Sequence, residues 1–242
     1  MKRIVLGCCL SIAVVGLATR ASAQTPDDGP TVGDPGHWAI SVDRAFGFDY
    51  LQSKPTMNGV SEGTASNTTF ALFGNPAAGA ASAFSFPRLA FDAFVGSGVS
   101  VGAGLGLFHI SQHLDASTAG MTAAIDESAT GFIVAPRIGY AARLNPLVAV
   151  WPRLGVSVIY ASSSDTPSGG GSQETTSVYA VAVTAEVPFV FTLAPHAVVT
   201  LGPTFDYSFA GKTTLSAPGV ASQSTDEHLL EFGIQAGLVI TL

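Results

Sequence analysis

Residues 99–107 read VSVGAGLGL, and larger apolar residues alternate with serine and glycine along the whole stretch. The odd-numbered residues are valine, alanine and leucine, whereas the even-numbered ones are Ser100, Gly102, Gly104 and Gly106. Because successive side chains of a β-strand point to opposite faces, this pattern predicts a strand with one apolar face and one face of small residues. Helical spacing is not sustained anywhere in the chain, so the fold class indicated is all-β.

The same period of two recurs in seven further segments, which gives eight predicted strands. These segments are residues 38–50, 89–95, 132–144, 150–160, 179–189, 199–209 and 232–242. Short connections fall at residues 96–98, 145–146 and 192–196, and long polar connections fall at 52–83, 111–129, 161–175 and 210–227. Alternating long and short connections predict an up-and-down antiparallel meander. Within the first long connection, residues 68–73 are compatible with an additional hairpin.

The composition indicates a membrane environment. Of the 242 residues, 47% are hydrophobic and only 11% are charged, with a mean hydropathy of +0.41. Soluble domains average about 25% charged residues, and disordered chains are poor in apolar residues, so both classes are disfavoured. The net charge of -7 disfavours nucleic acid as a partner. After residue 23 no apolar run is long enough for a membrane-spanning helix, so strands must do the crossing.

The first residues are typical of a secretory signal peptide. Lys2 and Arg3 precede an apolar stretch over residues 4–17, and residues 21–23 read ASA. This arrangement predicts cleavage between Ala23 and Gln24. Both cysteines of the chain lie within residues 1–23. Residues 24–36 are rich in Pro, Gly and Asp and predict a flexible exported segment, which leaves residues 37–242 for the predicted strands.

Charged residues distinguish the two faces of the predicted strands. Ten of them fall on the face of small residues: Asp43, Asp49, Arg88, Asp92, Arg137, Arg143, Arg153, Glu186, Asp206 and Glu231. A charge facing lipid is costly, whereas charges inside a barrel can pair, so these four arginines and six carboxylates predict an ion-pair network in the lumen. A soluble eight-stranded carrier also alternates, but this charge distribution favours a transmembrane barrel. Arg44 is an exception on the apolar parity, explained either by a β-bulge or by snorkelling.

Over residues 37–242 the chain resembles the small eight-stranded outer-membrane β-barrel proteins. The resemblance includes the last strand, residues 232–242, which is similar to their assembly signal although it ends in Leu242 instead of an aromatic residue. It implies an antiparallel transmembrane barrel in the outer membrane with both termini in the periplasm. It also implies lipid and lipopolysaccharide as surroundings, and recognition of the C-terminal strand by the barrel-assembly machinery.

Residues 108–112, FHISQ, are the best catalytic candidates. They resemble the Arg-His-x-Ser-Asn motif of the lipid A 3-O-deacylases, which are also eight-stranded outer-membrane enzymes. The resemblance implies that His109 is the base and Ser111 the nucleophile. Asp115, Asp126 and Glu127 are candidates for the acid, but no carboxylate stands at an evidently matching place. Phe108 and Gln112 depart from the motif.

Three hypotheses about function therefore remain open. The leading one is a non-enzymatic protein that supports envelope integrity or contacts other surfaces through four polar extracellular loops. The second is a lipid A-modifying hydrolase that uses Ser111 and His109, and the third is a narrow channel through the charged lumen. The other histidines, His37, His113, His196 and His228, do not have metal-ligand spacing, so neither a metal nor another cofactor is expected.

Overall fold

The computed structural model describes residues 32–57, 60–61, 63–72, 86–118, 121–167 and 173–242. The predicted signal peptide, its Ala23–Gln24 cleavage site and residues 24–31 lie outside this part of the chain. The described residues form thirteen strands: β1 (Trp38–Met57), β2 (Val60–Ser61), β3 (Ala65–Leu72), β4 (Arg88–Phe94), β5 (Val99–Thr118), β6 (Met121–Tyr140), β7 (Ala142–Asn145), β8 (Val148–Val150), β9 (Arg153–Pro167), β10 (Glu174–Glu186), β11 (Phe189–Ala194), β12 (Ala197–Ser216) and β13 (Gln223–Thr241). Within these ranges, no helix has the length and apolar character needed to span a membrane.

The strands close into a barrel with eight positions in its wall. Each wall strand pairs antiparallel with the next along the chain, in the order β1, β4, β5, β6, β9, β10, β12 and β13. The barrel closes because β13 pairs with β1, from Ala39 opposite Thr241 to Thr56 opposite Asp226. The shorter β7, β8 and β11 continue the wall at the end where the tight turns lie. This topology confirms the predicted all-β, eight-stranded up-and-down barrel.

Three of the long connections are much shorter than the sequence pattern predicts. The ladder between β5 and β6 continues to Thr118 opposite Met121, and that between β9 and β10 continues to Asp165 opposite Glu174. Likewise, β12 and β13 stay paired out to Leu215 opposite Gln223. The predicted loops are therefore mostly hairpins that extend the wall. Their Ser- and Thr-rich composition suggested loops, but a ladder is held by backbone hydrogen bonds and accepts polar side chains on both faces when both are solvated.

The second wall position is divided between two strands. β3 pairs with residues 46–53 of β1, and β4 pairs with residues 38–43 of the same strand. The predicted hairpin at residues 68–73 is therefore, over its described part, a strand of the wall. Residues 73–85, which connect the two pieces, lie outside the described residues.

A short strap precedes the first strand and crosses the turn end of the barrel. The Gly98 amide donates to the Gly33 carbonyl at 2.9 Å, and the Gly36 amide donates to the Phe94 carbonyl at 2.8 Å. Val32 is buried against the barrel interior. Both strap glycines have positive φ angles, 99° and 82°, which an L side chain would strain. Residues 32–36, at the end of the predicted flexible segment, are thus held in place.

The barrel interior has three layers. Its turn end is filled by a lower apolar layer that consists of Val32, Ala39, Phe94, Ala141, Ala149, Trp151, Val190, Val198 and Val239. Towards the hairpin end, an upper apolar layer contains Ile133, Ile159 and Ala182, with Phe86 and Leu229 packed against them. Between the two lies an ionic layer formed by Asp43, Arg44, Asp49, Arg88, Asp92, Arg137, Arg153, Glu186, Asp206 and Glu231, all of them buried.

Candidate functional site

Arg137 and Arg153 organise one side of the ionic layer. Arg137 binds Asp92 through both Nε and Nη2, and its Nη1 lies 2.5 Å from an Asp43 oxygen. Arg153 bridges Asp43 and Glu186, with Nη distances of 3.4 and 2.7 Å. These side chains come from five different wall strands. Removing any one of them would leave its buried partners with less compensating charge, which is more costly than losing an exposed ion pair.

Arg44 reaches the other side of the layer by means of a backbone irregularity. Its φ angle is +56°, and the β1–β13 register shifts between Val42 and Phe46. Residues 43–45 of β1 stand opposite the single Gly237 of β13, and this bulge turns the Arg44 side chain inward, where only 3% of the residue is exposed. Its guanidinium lies 3.1 Å from Glu186 and 2.9 Å from Asp206. Of the two explanations that the sequence left open for Arg44, the bulge is correct.

The remaining predicted lumen residues are placed as follows. Arg88 donates to Ser157 Oγ at 3.3 Å, and Asp49 accepts a hydrogen bond from Gln235. Glu231 lies 3.9 Å from the Arg44 guanidinium. Arg143 does not join the ionic layer. It lies at the turn end, with its side chain 45% exposed, and pairs with Asp34 of the strap.

Each arginine of the ionic layer adjoins a break in the backbone ladder. Pro87, Pro136 and Pro152 directly precede Arg88, Arg137 and Arg153, and the bulge occurs at Arg44 itself. Proline has no amide proton to donate, so the wall loses a ladder hydrogen bond at these places. A recurring Pro-Arg-aliphatic triplet is therefore the sequence signal that marks three interior arginines, and Arg143, which follows Ala142, lacks it.

Trp151 and Phe94 are two inward-facing aromatic residues that the sequence pattern did not single out. Trp151 is completely buried in the lower apolar layer and donates from Nε1 to Ser100 Oγ at 3.0 Å. Its ring lies 5.4 Å from that of Phe94, and the Arg153 guanidinium stacks 4.9 Å above it. Trp151 stands in a two-residue interruption between β8 and β9, where the strict alternation of the wall is lost. The ionic layer thus has an aromatic floor.

A stacked pair of rings lies at the upper apolar layer. Phe86 and Phe108 are 4.2 Å apart and nearly parallel. Phe108 faces Gly131 across the ladder and covers it, so a side chain at that position would collide with the ring. The ionic layer is consequently bounded by apolar side chains on both sides. Such apolar constrictions oppose the entry of water and ions, which argues against a conducting lumen.

The hydrolase candidates lie on the outer face of the β5–β6 hairpin. His109 and Ser111 are both exposed, as their parity predicts. The His109 ring is engaged by a neighbour other than Ser111, because its Nδ1 lies 2.8 Å from Thr130 Oγ1. Asp115, Asp126 and Glu127 are candidates for the acid, and their side chains lie outside the described part of the structure. The geometry that is described does not assemble a nucleophile with its base.

No metal-binding group of three or more histidine, cysteine, aspartate or glutamate side chains occurs among the described residues. His37 and His196 instead contact backbone carbonyls of the last strand, at Leu242 and Thr241. His228 lies 3.4 Å from the Ser208 carbonyl. Each of these three rings therefore has a structural contact of its own.

No protein-family model and no curated protein matches the chain. Among solved structures, it is similar to Ail, the attachment invasion locus protein of Yersinia pestis in complex with the heparin analogue sucrose octasulfate, at 14% identity and a TM-score of 0.38, covering 86% of this chain and 100% of Ail. It is similar to the outer membrane protease OmpT from Escherichia coli at 11% identity and a TM-score of 0.45, covering 86% of this chain and 97% of OmpT. It is also similar to the outer membrane protein OprG from Pseudomonas aeruginosa at 13% identity and a TM-score of 0.40, covering 85% of this chain and 96% of OprG. The fold assignment itself rests on the closed ladder of this chain.

Proposed function

We propose that the chain is an integral outer-membrane barrel that crosses the bilayer with its eight wall strands and extends its long hairpins outside the cell. The observation that carries this proposal is the outer surface. Every wall strand exposes large apolar side chains, for example Ile40, Phe91, Leu105, Ile138, Leu154, Val183, Phe205 and Ile234. Soluble monomers rarely expose apolar patches of more than a few hundred Å², so a surface of this kind requires lipid.

The ionic layer also supports a barrel whose outer surface faces lipid. A soluble barrel that carries an apolar ligand would place its charges outside, whereas here the outside is covered by large apolar side chains and the ten charged residues of the ionic layer are buried inside. Closure of the barrel also satisfies the backbone hydrogen bonds of the wall, which a lipid environment demands. The exposed aromatic residues Tyr140 and Trp38, near the turn end, and Tyr160 and Tyr179, near the hairpins, match the interfacial belts of membrane barrels.

Within the outer membrane, the proposed role is non-enzymatic: support of the envelope, or contact with other surfaces through the hairpins. The interior is filled by side chains, and the best catalytic pair is not assembled, so the polar hairpins are the part of the molecule left to interact. Lipopolysaccharide around the barrel, and the assembly machinery acting on β13, are the partners that this proposal includes.

Expression of the full chain in a Gram-negative host tests this proposal. We expect it in the outer-membrane fraction, with a folded form that migrates faster on a gel before heating than after. Recovery as a soluble periplasmic protein would contradict the proposal. To test the role, a deletion strain should become sensitive to detergent or lose surface attachment. Complementation with a barrel that lacks the β5–β6 hairpin tip then shows which of these two defects depends on that hairpin.

A further inference from the structure

Three rows of outward-facing residues cross the hairpin end of the barrel. The first row is aromatic over three neighbouring strands: Phe132 is opposite Tyr160, and Tyr160 is opposite Tyr179. The Phe132 and Tyr160 rings are 5.8 Å apart, and all three side chains are exposed. Residues two positions along a strand share a face. The rows that lie one and two steps towards the hairpin tips therefore face outward as well.

Those two rows consist of hydroxyl residues that the ladder places directly opposite one another. The row next to the aromatic one contains Thr130, Ser162, Ser177, Thr214 and Ser224, and begins at His109. The row beyond it contains Ser111, Ser128, Ser164, Thr175 and Ser216. We call these ten residues the hydroxyl belt. It runs across β5, β6, β9, β10, β12 and β13.

Neighbouring side chains of the belt bond to each other. Ser128 and Ser164 hydroxyls are 2.9 Å apart, and those of Thr214 and Ser224 are 3.1 Å apart. His109 contacts Thr130, as described above. Each hydroxyl has one proton to donate and two lone pairs, so a bond to its neighbour still leaves capacity for a partner from outside the protein.

The belt lies at headgroup depth if the aromatic row marks the edge of the hydrocarbon. Each step of two residues rises about 6.6 Å along a strand, or roughly 5 Å along the membrane normal at a barrel tilt near 40°. The polar interface of a bilayer leaflet is about 5–8 Å thick. The first row of the belt therefore lies among the headgroups of the surrounding lipids, and the second row, roughly 10 Å from the aromatic row, lies just beyond them.

The absence of arginine and lysine from the belt restricts the kind of headgroup that it can bind. Proteins bind phosphate groups preferentially with arginine and lysine, and neither residue occurs in either row of the belt. The nearest cation in the rows described is Lys212, which extends the aromatic row and stands opposite Asp226. Sugar hydroxyls, like those of serine and threonine, both donate and accept. On the basis of the proposed outer-membrane location, we propose that the hydroxyl belt binds the neutral sugar headgroups of glycolipids in the surrounding leaflet.

Lipid retention measured by native mass spectrometry tests this inference. The full-length protein is extracted from bilayers that hold equal amounts of monoglucosyl diacylglycerol and phosphatidylglycerol with the same acyl chains. We expect the glucolipid to be retained preferentially. A variant with Thr130→Val, Ser162→Ala, Ser177→Ala and Thr214→Val should reduce this preference by at least about tenfold, since each of the four hydrogen bonds contributes a factor of about two to ten. Equal retention of the two lipids by the unaltered protein would overturn the inference.

A matched control exists in the same hairpins. Ser163 and Thr176 are opposite each other on the inner parity of β9 and β10, so Ser163→Ala with Thr176→Val removes hydroxyls from the other face. This control should keep the preference for glucolipid, and its loss there would refute a role for the outward rows. Heat-dependent gel mobility shows that each variant is folded and inserted. A chain that fails to insert at all contradicts the proposed function, whereas an inserted barrel without lipid preference contradicts only the belt.

Discussion

Arg44 donates from Nη2 to Glu186 at 3.1 Å, across the barrel interior and from a backbone position with a φ angle of +56°. The two residues are 142 positions apart in the chain. Neither the sign of the φ angle nor this contact follows from the alternation of apolar and small residues. The bond joins β1 to β10, two strands that are not neighbours in the wall. Side-chain contacts thus connect strands across the interior of the barrel, in addition to the hydrogen bonds of the wall.

Removal of the Arg44 guanidinium should strongly destabilise the barrel. Arg44→Ala leaves Glu186 and Asp206 buried with less compensation, and breaking a buried pair in this way costs about 3–5 kcal/mol. Urea unfolding in vesicles, followed by gel mobility, measures this change. Arg143→Ala is the matched control, because the Arg143–Asp34 pair is largely exposed, and it should cost less than about 1 kcal/mol. Equal effects of the two substitutions would show that burial of the ionic layer does not matter.

The two tryptophans should report opposite environments. Trp38 is 47% exposed on the outer wall, whereas Trp151 is completely buried. In bilayers of brominated lipid, a Trp151→Phe variant, which retains Trp38, should be strongly quenched. A Trp38→Phe variant should keep most of its fluorescence. Quenching of Trp151 alone would reverse the assignment of the inner and outer faces.

Planar bilayers should show no unitary conductance for the inserted protein. The ionic layer is enclosed between the lower and upper apolar layers, and apolar constrictions exclude hydrated ions. Arg137→Gln should therefore change the free energy of unfolding without creating or abolishing current steps. Reproducible steps that disappear in Arg137→Gln would restore the hypothesis of a channel through the charged lumen.

The lipid A of a Gram-negative host should be unchanged by expression of the protein. His109 bonds to Thr130, and Ser111 is part of the hydroxyl belt, so no acyl chain should be removed. Mass spectra of extracted lipid A from cells with the protein, with Ser111→Ala and with empty vector should coincide. Loss of one hydroxyacyl chain that requires Ser111 would instead make the protein a hydrolase.

The attachment of the strap to the barrel should depend more on Val32 than on the Asp34–Arg143 ion pair. Val32 is buried in the lower apolar layer, and a charge placed there without a partner is costly. We expect Val32→Asp to lower the midpoint of thermal unfolding by several degrees and Asp34→Ala to change it little. Hydrogen exchange at the Gly98 amide, which donates to Gly33, would detect release of the strap.

The sequence was sufficient to predict the fold because the period of two is sustained wherever one side of a strand meets lipid and the other meets the interior. It located Asp92 and Glu186 on the inner face for the same reason. The rule fails where the ladder is irregular. Arg44 changes sides at a bulge, and Arg143 lies beyond the ionic layer although its parity is correct. In the hairpins, both faces are polar, so the alternation vanishes although the strands continue.

The placement of Arg44 has a consequence for incomplete forms of the barrel. It belongs to the first wall strand, but Asp206 and Glu231, two of the three carboxylates around it, belong to the last two. An incomplete barrel that has not yet received these strands holds a cation in its interior without most of its counter-charge. The charges of the interior are therefore balanced only when the first and the last wall strands are both in place.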